Sequence, residues 1–288
     1  MSIKEKFDIT DETDFIDVEL DTDNKLFVDP FLIYISKDEM SISCSNKIVG
    51  YFSKLLKYAQ LGDRGNGYKL VRYLQENNEV RFGYSSGRPA GRGFGINKGK
   101  ELFDDLCHSK AVSTGLVSDI FDASIMIENI GADKISDLTI NIILCELIDY
   151  TQKQCILHNI PMEEIKMIRP VWNSELEKWE KNQVVVLPVH DGKPIILIPK
   201  NFARAHLVYT YGRYYNLEMI PQYEKVVASD PSSGLVKILK RGIVPSRTKI
   251  RAEYPCNRCR VIEHIENNPD NYNEYKRRQL SYVENESV

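Results

Sequence analysis

The sequence predicts a mixed α+β fold of the α/β type, a mixed sheet with flanking helices, on three observations. Residues 46–61 place Ile48, Val49, Phe52, Leu55, Leu56 and Ala59 at helical spacing. The dipeptide Asp191-Gly192 separates two apolar runs, 183–189 and 193–199, which is a strong hairpin signal. Between those regions Ser124 to Ile130 is a short apolar run of strand length.

Taken in order, the chain opens on a second expected hairpin. Phe15 to Leu20 alternates apolar and acidic residues, Asp21 to Asn24 supply turn chemistry, and Lys25 to Val28 return before Asp29-Pro30. The helix over 46–61 ends at Gly62, and another is expected over 67–77. Residues 81–100 carry six of the sixteen glycines and read as a long loop feeding a helix at 100–108. After the strand at 124–130, Ser136 is expected to cap a helix that has Asp137 in its first turn and runs to His158 before Asn159-Ile160-Pro161. Pro188, Pro194 and Pro199 place the hairpin over 183–199 at an edge or at bulges. Residues 200–216 read as helical, and 261–288 as a polar helix. The expected organisation is a core domain over 1–230 and a basic, mostly helical C-terminal region over 231–288.

Composition excludes several classes. With 288 residues, 42% of them hydrophobic, the chain can bury a sizeable core. Its apolar runs, such as 140–144, fall far short of the roughly 20 residues that span a bilayer, so no membrane role is expected. The N-terminus has no apolar signal region, and six cysteines scattered through a large chain read as reduced thiols, which together predict a cytoplasmic protein.

Net charge is only −3, yet it is strongly sorted. Asp8 to Asp23 contains eight acids and no base; Arg81 to Lys100 contains five bases and no acid; Lys237 to Arg260 contains eight bases against Glu253. Screening acts over about 8–10 Å, so such segregation leaves local fields that suit an anionic partner, DNA or RNA.

Two constellations carry candidate chemistry. In the first, glycines of the 81–100 segment would let backbone approach phosphate while Arg81, Arg88, Arg92, Lys98 and Lys100 supply charge-assisted bonds. The segment is neither a P-loop, since Glu101 follows Gly99-Lys100 and Phe94 stands where the first glycine belongs, nor a dinucleotide fingerprint. In the second, Glu128, Asp133 and Asp137 would offer oxygen ligands from a strand end, a turn and a helix start, as Mg²⁺ or Mn²⁺ requires, with Lys200 as an electrostatic helper. The competing account of Asp133 and Asp137 is helix N-terminal capping.

Acids with a strand-borne lysine are similar in type to the PD-(D/E)XK nucleases. The acid-x-Lys element of that family is absent here, because Ile198-Pro199 precedes Lys200. Asp29 could ligate metal or simply start a turn with Pro30. Cys256, Cys259 and His264 offer three zinc-type ligands where structural sites use four. Tyr209, Tyr211, Tyr214, Tyr215 and Tyr223 could stack on unpaired bases or pack in the core.

The resulting expectation is a nucleic-acid-processing protein, a divalent-metal phosphodiesterase or nuclease with Glu128, Asp133, Asp137 and Lys200 as catalytic groups, of a kind that suits bacterial phage defence. The alternative is a non-catalytic nucleic-acid-binding or complex-assembly subunit, with a protein partner or a second copy.

Overall fold

The computed structural model describes residues 1–83, 96–167, 169–239 and 242–286. The fold is mixed α+β, 55% helical and 14% strand, so helices carry most of the core. The strands do not form one mixed sheet; they make several small antiparallel pairs flanked by helices.

A capping box between Ser2 and Glu5 starts α1 (Ile3–Lys6). Strand β1 (Phe27–Val28) leads into α2 (Pro30–Ile35), where Pro30 occupies the first helical position and Asp29 accepts from Phe31 N–H. Asp38 caps the longest helix, α3 (Glu39–Gln60), whose buried stripe includes Ile48, Tyr51, Phe52, Leu55 and Leu56. Asp63 caps α4 (Arg64–Val71), and α5 (Ile96–His108) and α6 (Lys110–Ser113) follow. Gly67 and Gly99 allow α4 and α5 to close up: a Cβ on Gly67 would lie 2.0 Å from the Phe103 ring, and one on Gly99 would lie 2.3 Å from the Val71 carbonyl.

The strand expected over 124–130 is instead the helix α7 (Ile120–Met126), capped by Asp119. All seven of its residues are buried, Asp122 and Ser124 included, so it shows no amphipathic period, and a short run buried on every side cannot be told from a buried strand by pattern. The single helix expected over 136–158 is two, α8 (Ala132–Ile142) and α9 (Leu144–Leu157). Gly131, not Ser136, occupies the N-cap position; Ser136 lies inside the helix, and its hydroxyl accepts from Val28 N–H at 3.0 Å.

Strands β2 (Glu163–Lys166), β3 (Val171–Asn173), β4 (Lys178–Glu180), β5 (Val184–Leu187), β6 (Val189–His190), β7 (Lys193–Pro194) and β8 (Ala203–Arg204) pair as β2 with β5, β3 with β4, β6 with β7, and β1 with β8. The Asp191-Gly192 turn forms as expected, with φ of 50° and 71° at its two centres. Its hairpin is short, because Val184–Leu187 pairs with β2 and Ile195 to Ile198 enter the core, where Ile196 N–H donates to Glu79 and Leu197 N–H to the Thr151 hydroxyl. The opening hairpin does not form. Phe15 bridges to Pro199, Ser2 to Glu19, and β1 pairs with β8, while the Asn24 side chain closes the turn by bonding both backbone groups of Glu19.

Residues 200–216 are not one helix. A 3₁₀ turn (Lys200–Phe202) precedes β8, and α10 (Tyr211–Tyr214) continues through a π-turn over Tyr215–Met219 into α11 (Ile220–Ser229). The chain then makes a ribbon of β9 (Val236–Leu239) and β10 (Gly242–Pro245), followed by α12 (Arg247–Glu253), α13 (Arg258–Asn267) and α14 (Pro269–Glu286). The C-terminal helices share the main core through Ile250, Val261, Ile265, Tyr272 and Tyr275.

Two polar contacts fix that docking. Asp122 is fully buried, and burying a carboxylate requires partners: it accepts from the Tyr272 hydroxyl at 2.5 Å, from Lys276 Nζ at 3.1 Å and from the Ser118 hydroxyl at 2.8 Å. The Arg258 guanidinium donates to the carbonyls of Ile127 and Ile130 just beyond α7. Among the described residues no helix is long and apolar enough to cross a membrane.

Candidate functional site

The start of α8 faces a cavity of about 340 Å³ whose lining includes four carboxylates, Asp23, Glu76, Asp133 and Asp137, with the ammonium groups of Lys98 and Lys134. Phe27, Val80 and Ile140 form part of its apolar wall. Asp133 lies exposed in the first turn of the helix, and Asp137 one turn further along, so neither occupies the cap position.

Asp137 is held in a perturbed state by its surroundings. Burial raises its carboxyl to about 7; an Asn77 hydrogen bond opposes the shift, and the nearby charges of Glu76 and Asp133 add to it. Asn77 Nδ2 donates to Asp137 Oδ1 at 3.4 Å and to the Asp137 carbonyl at 3.2 Å. Asn77 is itself held by the buried Arg169 guanidinium, which pairs with Glu79 at 3.2 Å. Asn141 Nδ2 donates to the Asp137 carbonyl at 2.7 Å, so backbone and side chain are both fixed.

The structure does not gather the four expected catalytic groups. Glu128 is exposed beyond α7, where its carboxylate accepts from the Cys259 thiol at 3.2 Å. Lys200 lines a different cleft, of about 780 Å³, in which Glu12, Asp14, Asp38, Glu146 and Asp149 give an acidic wall. Its Nζ stands 4.0 Å from Glu12. The separation follows from two local differences: 124–130 opens as a helix, and Lys200 starts a 3₁₀ turn instead of ending a strand.

The expected phosphate-binding set also divides. Arg81 is buried, 3% exposed, with φ of 59°, which removes it from any surface grip. Lys98 and Lys100 are exposed on α5, and Lys100 lies over the Tyr68 ring at 5.4 Å. Arg88 and Arg92 lie outside the described residues. Gly99 serves helix packing.

Other sequence candidates have structural duties. Asp29 is buried and accepts from the N–H groups of Phe31 at 2.9 Å and Val208 at 2.7 Å; burial raises its pKa. Both ring nitrogens of His264 are engaged, by the Tyr214 hydroxyl at 3.1 Å and Gln222 at 2.8 Å, so Cys256, Cys259 and His264 do not make a zinc site. Tyr209, Tyr214 and Tyr215 are core residues, Tyr211 carries the Arg258 guanidinium over its ring, and Tyr223 stacks on Tyr254.

Among the described residues, Asp21, His190 and Asp191 form the one trio of acidic, histidine or cysteine side chains whose ligand atoms lie within 4.8 Å of one another. Sequence reading missed it, since 169 residues separate Asp21 from His190. His190 Nε2 is 3.1 Å from Asp21 and 3.9 Å from Asp191, while Nδ1 lies 2.9 Å from Lys6 Nζ. An ammonium can only donate, so Nδ1 accepts, and the neutral ring then carries its proton on Nε2, toward Asp21. A metal at Nε2 would have to displace that proton.

Residues 6–210 match the family described as Domain of unknown function (DUF8370). The chain belongs to this family. The DUF8370 segment contains the α8 cavity, the acidic cleft and the Asp21–His190–Asp191 group, and it ends before the β9–β10 ribbon. No curated protein matches the chain, and no solved structure does.

Proposed function

We propose that this chain processes nucleic acid as a divalent-metal-dependent phosphodiesterase, a nuclease, at the α8 cavity. The observation that carries the reading is the lining of one cavity by Asp23, Glu76, Asp133 and Asp137 beside Lys98. Mg²⁺ and Mn²⁺ take oxygen ligands, and carboxylates that line one cavity favour a cation that offsets their charge. A divalent ion near Asp137 would draw its carboxyl back to the ionised form. Lys98 would supply positive charge toward a phosphate, at the point where the glycine-rich basic segment joins α5. In this reading Asp23 and Glu76 stand where the sequence suggested Glu128, and Lys98 replaces Lys200.

The second reading is a non-catalytic nucleic-acid-binding subunit. It is favoured by one fact: no three of the cavity carboxylates bring their oxygens within 4.8 Å of one another, whereas Asp21, His190 and Asp191 do converge. Incubating the pure protein with single-stranded and duplex DNA and RNA in Mg²⁺, Mn²⁺ or EDTA separates the two. Metal-dependent cleavage that Asp137→Asn abolishes supports the nuclease; binding without cleavage under every condition overturns it in favour of the subunit.

A further inference from the structure

The β9–β10 ribbon lies outside the DUF8370 match and outside both cavities described above. Its register pairs Val236 with Pro245, Lys237 with Val244, Ile238 with Ile243 and Leu239 with Gly242. Because side chains alternate across a strand, Val236, Ile238, Ile243 and Pro245 share one face. Val236 and Pro245 are partly buried at its base, whereas Ile238 is 83% and Ile243 58% exposed at the outer end. Leu239, on the other face, is 50% exposed. A two-stranded ribbon is only marginally stable by itself, so a bare apolar pair at its outer end is a feature that folding does not require.

Charge identifies what covers it. The stretch Lys237 to Arg260 carries eight bases against one acid. Four of these bases are engaged within the chain: Arg247 forms a bidentate pair with Glu224, Arg258 caps the segment after α7, Arg251 donates to the Asn216 side chain and Arg260 to the Pro255 carbonyl, while Lys240 and Arg241 lie outside the described residues. Lys237 is exposed on β9, and Lys249 is exposed with its Nζ on the Gly234 carbonyl at the ribbon's base. Like-charged ribbons of two copies would repel, whereas a polyanion complements the bases. Ile238 and Ile243 have no group with which to read base edges. Branched apolar side chains on a basic ribbon act on a duplex as wedges between base steps.

We propose that the β9–β10 ribbon docks on duplex DNA, with Lys237 and Lys249 along the phosphates and the Ile238–Ile243 pair wedged into the minor groove, bending the duplex without sequence preference. The inference rests on the nucleic-acid reading above but not on catalysis at the α8 cavity.

The test uses the full chain and a 30-base-pair DNA duplex labelled at both ends for energy transfer, in EDTA so that no metal-dependent cleavage intervenes. Ile238→Ser with Ile243→Ser should weaken binding about tenfold and abolish the energy-transfer change that reports bending. Lys237→Glu should reduce the slope of log affinity against log salt by about 1 to 2. All three residues are exposed, so melting temperature should stay near that of the wild type; a variant that unfolds is replaced by Ile238→Thr with Ile243→Thr, for which the same loss of bending is expected. Unchanged affinity and bending overturn the proposal. So does loss of self-association, or of binding to phosphatidylglycerol vesicles, with duplex binding intact, because the ribbon would then serve a second copy or a lipid surface. Duplex bending without cleavage in any metal overturns the nuclease and leaves the ribbon standing; cleavage that survives the ribbon substitutions with bending unchanged does the reverse.

Discussion

Replacing Asp137 by Asn removes one charge while keeping the shape of a side chain that accepts from Asn77, on a backbone carbonyl held by Asn77 and Asn141. Burial raises the Asp137 carboxyl from 3.8 to about 7, so between those values the folded protein retains a proton that the unfolded chain has released. Stability from this group is therefore fully present below about pH 4 and falls as pH rises through 7. At about 1.4 kcal/mol per pH unit the full loss is roughly 4 kcal/mol, and partial solvent access brings the expected figure to about 2 kcal/mol. Asn stays neutral throughout, so the variant loses this slope. At pH 8 in EDTA, Asp137→Asn should be more stable than wild type by about 2 kcal/mol, a rise of about 4 °C or more in Tm. Metal then adds a second comparison: Mn²⁺ at a hundredfold its dissociation constant should stabilise the wild type by about 2.7 kcal/mol and the variant by almost nothing. Melting curves at pH 5 and pH 8, with and without Mn²⁺, measure all of this. A variant less stable than wild type at pH 8 would refute the burial account, and an equal metal response in both proteins would remove Asp137 from any metal site.

Three further perturbations test the fold. Gly192→Val forces a β-branched residue to φ of 71° with nothing within 4 Å of its Cβ, so the cost is conformational, about 1–2 kcal/mol in denaturant titration. Gly67→Ala drives a methyl group against the Phe103 ring and should destabilise by about 1–3 kcal/mol; a neutral result would show that α4 and α5 can separate freely. Lys276→Met leaves the buried Asp122 carboxylate without its cationic partner and should cost about 3–5 kcal/mol. The double variant Asp122→Asn with Lys276→Met should recover much of that loss, and failure to do so would locate the effect in packing of α14.

What the sequence determined by itself was local. Asp191-Gly192 was legible because a turn with two positive φ angles is a preference of those two residues, whatever surrounds them. The core of α3 was legible because one apolar stripe at helical spacing has one physical solution, whereas the single polar helix expected over 261–288 is two, α13 and α14, separated at Asn268 before Pro269. Ile120–Met126 was not, since burial on every side erases the period that distinguishes helix from strand. The candidate site lay further from reach. Asp133 and Asp137 were singled out by type, but Asp23, Glu76 and Lys98 join them in one cavity only through the tertiary packing around the start of α8, and Asp21 meets His190 across 169 residues. Backbone preferences act over a few residues, whereas a cavity is the space left by the packing of distant ones, so the choice among the acidic and basic residues fell to the tertiary structure.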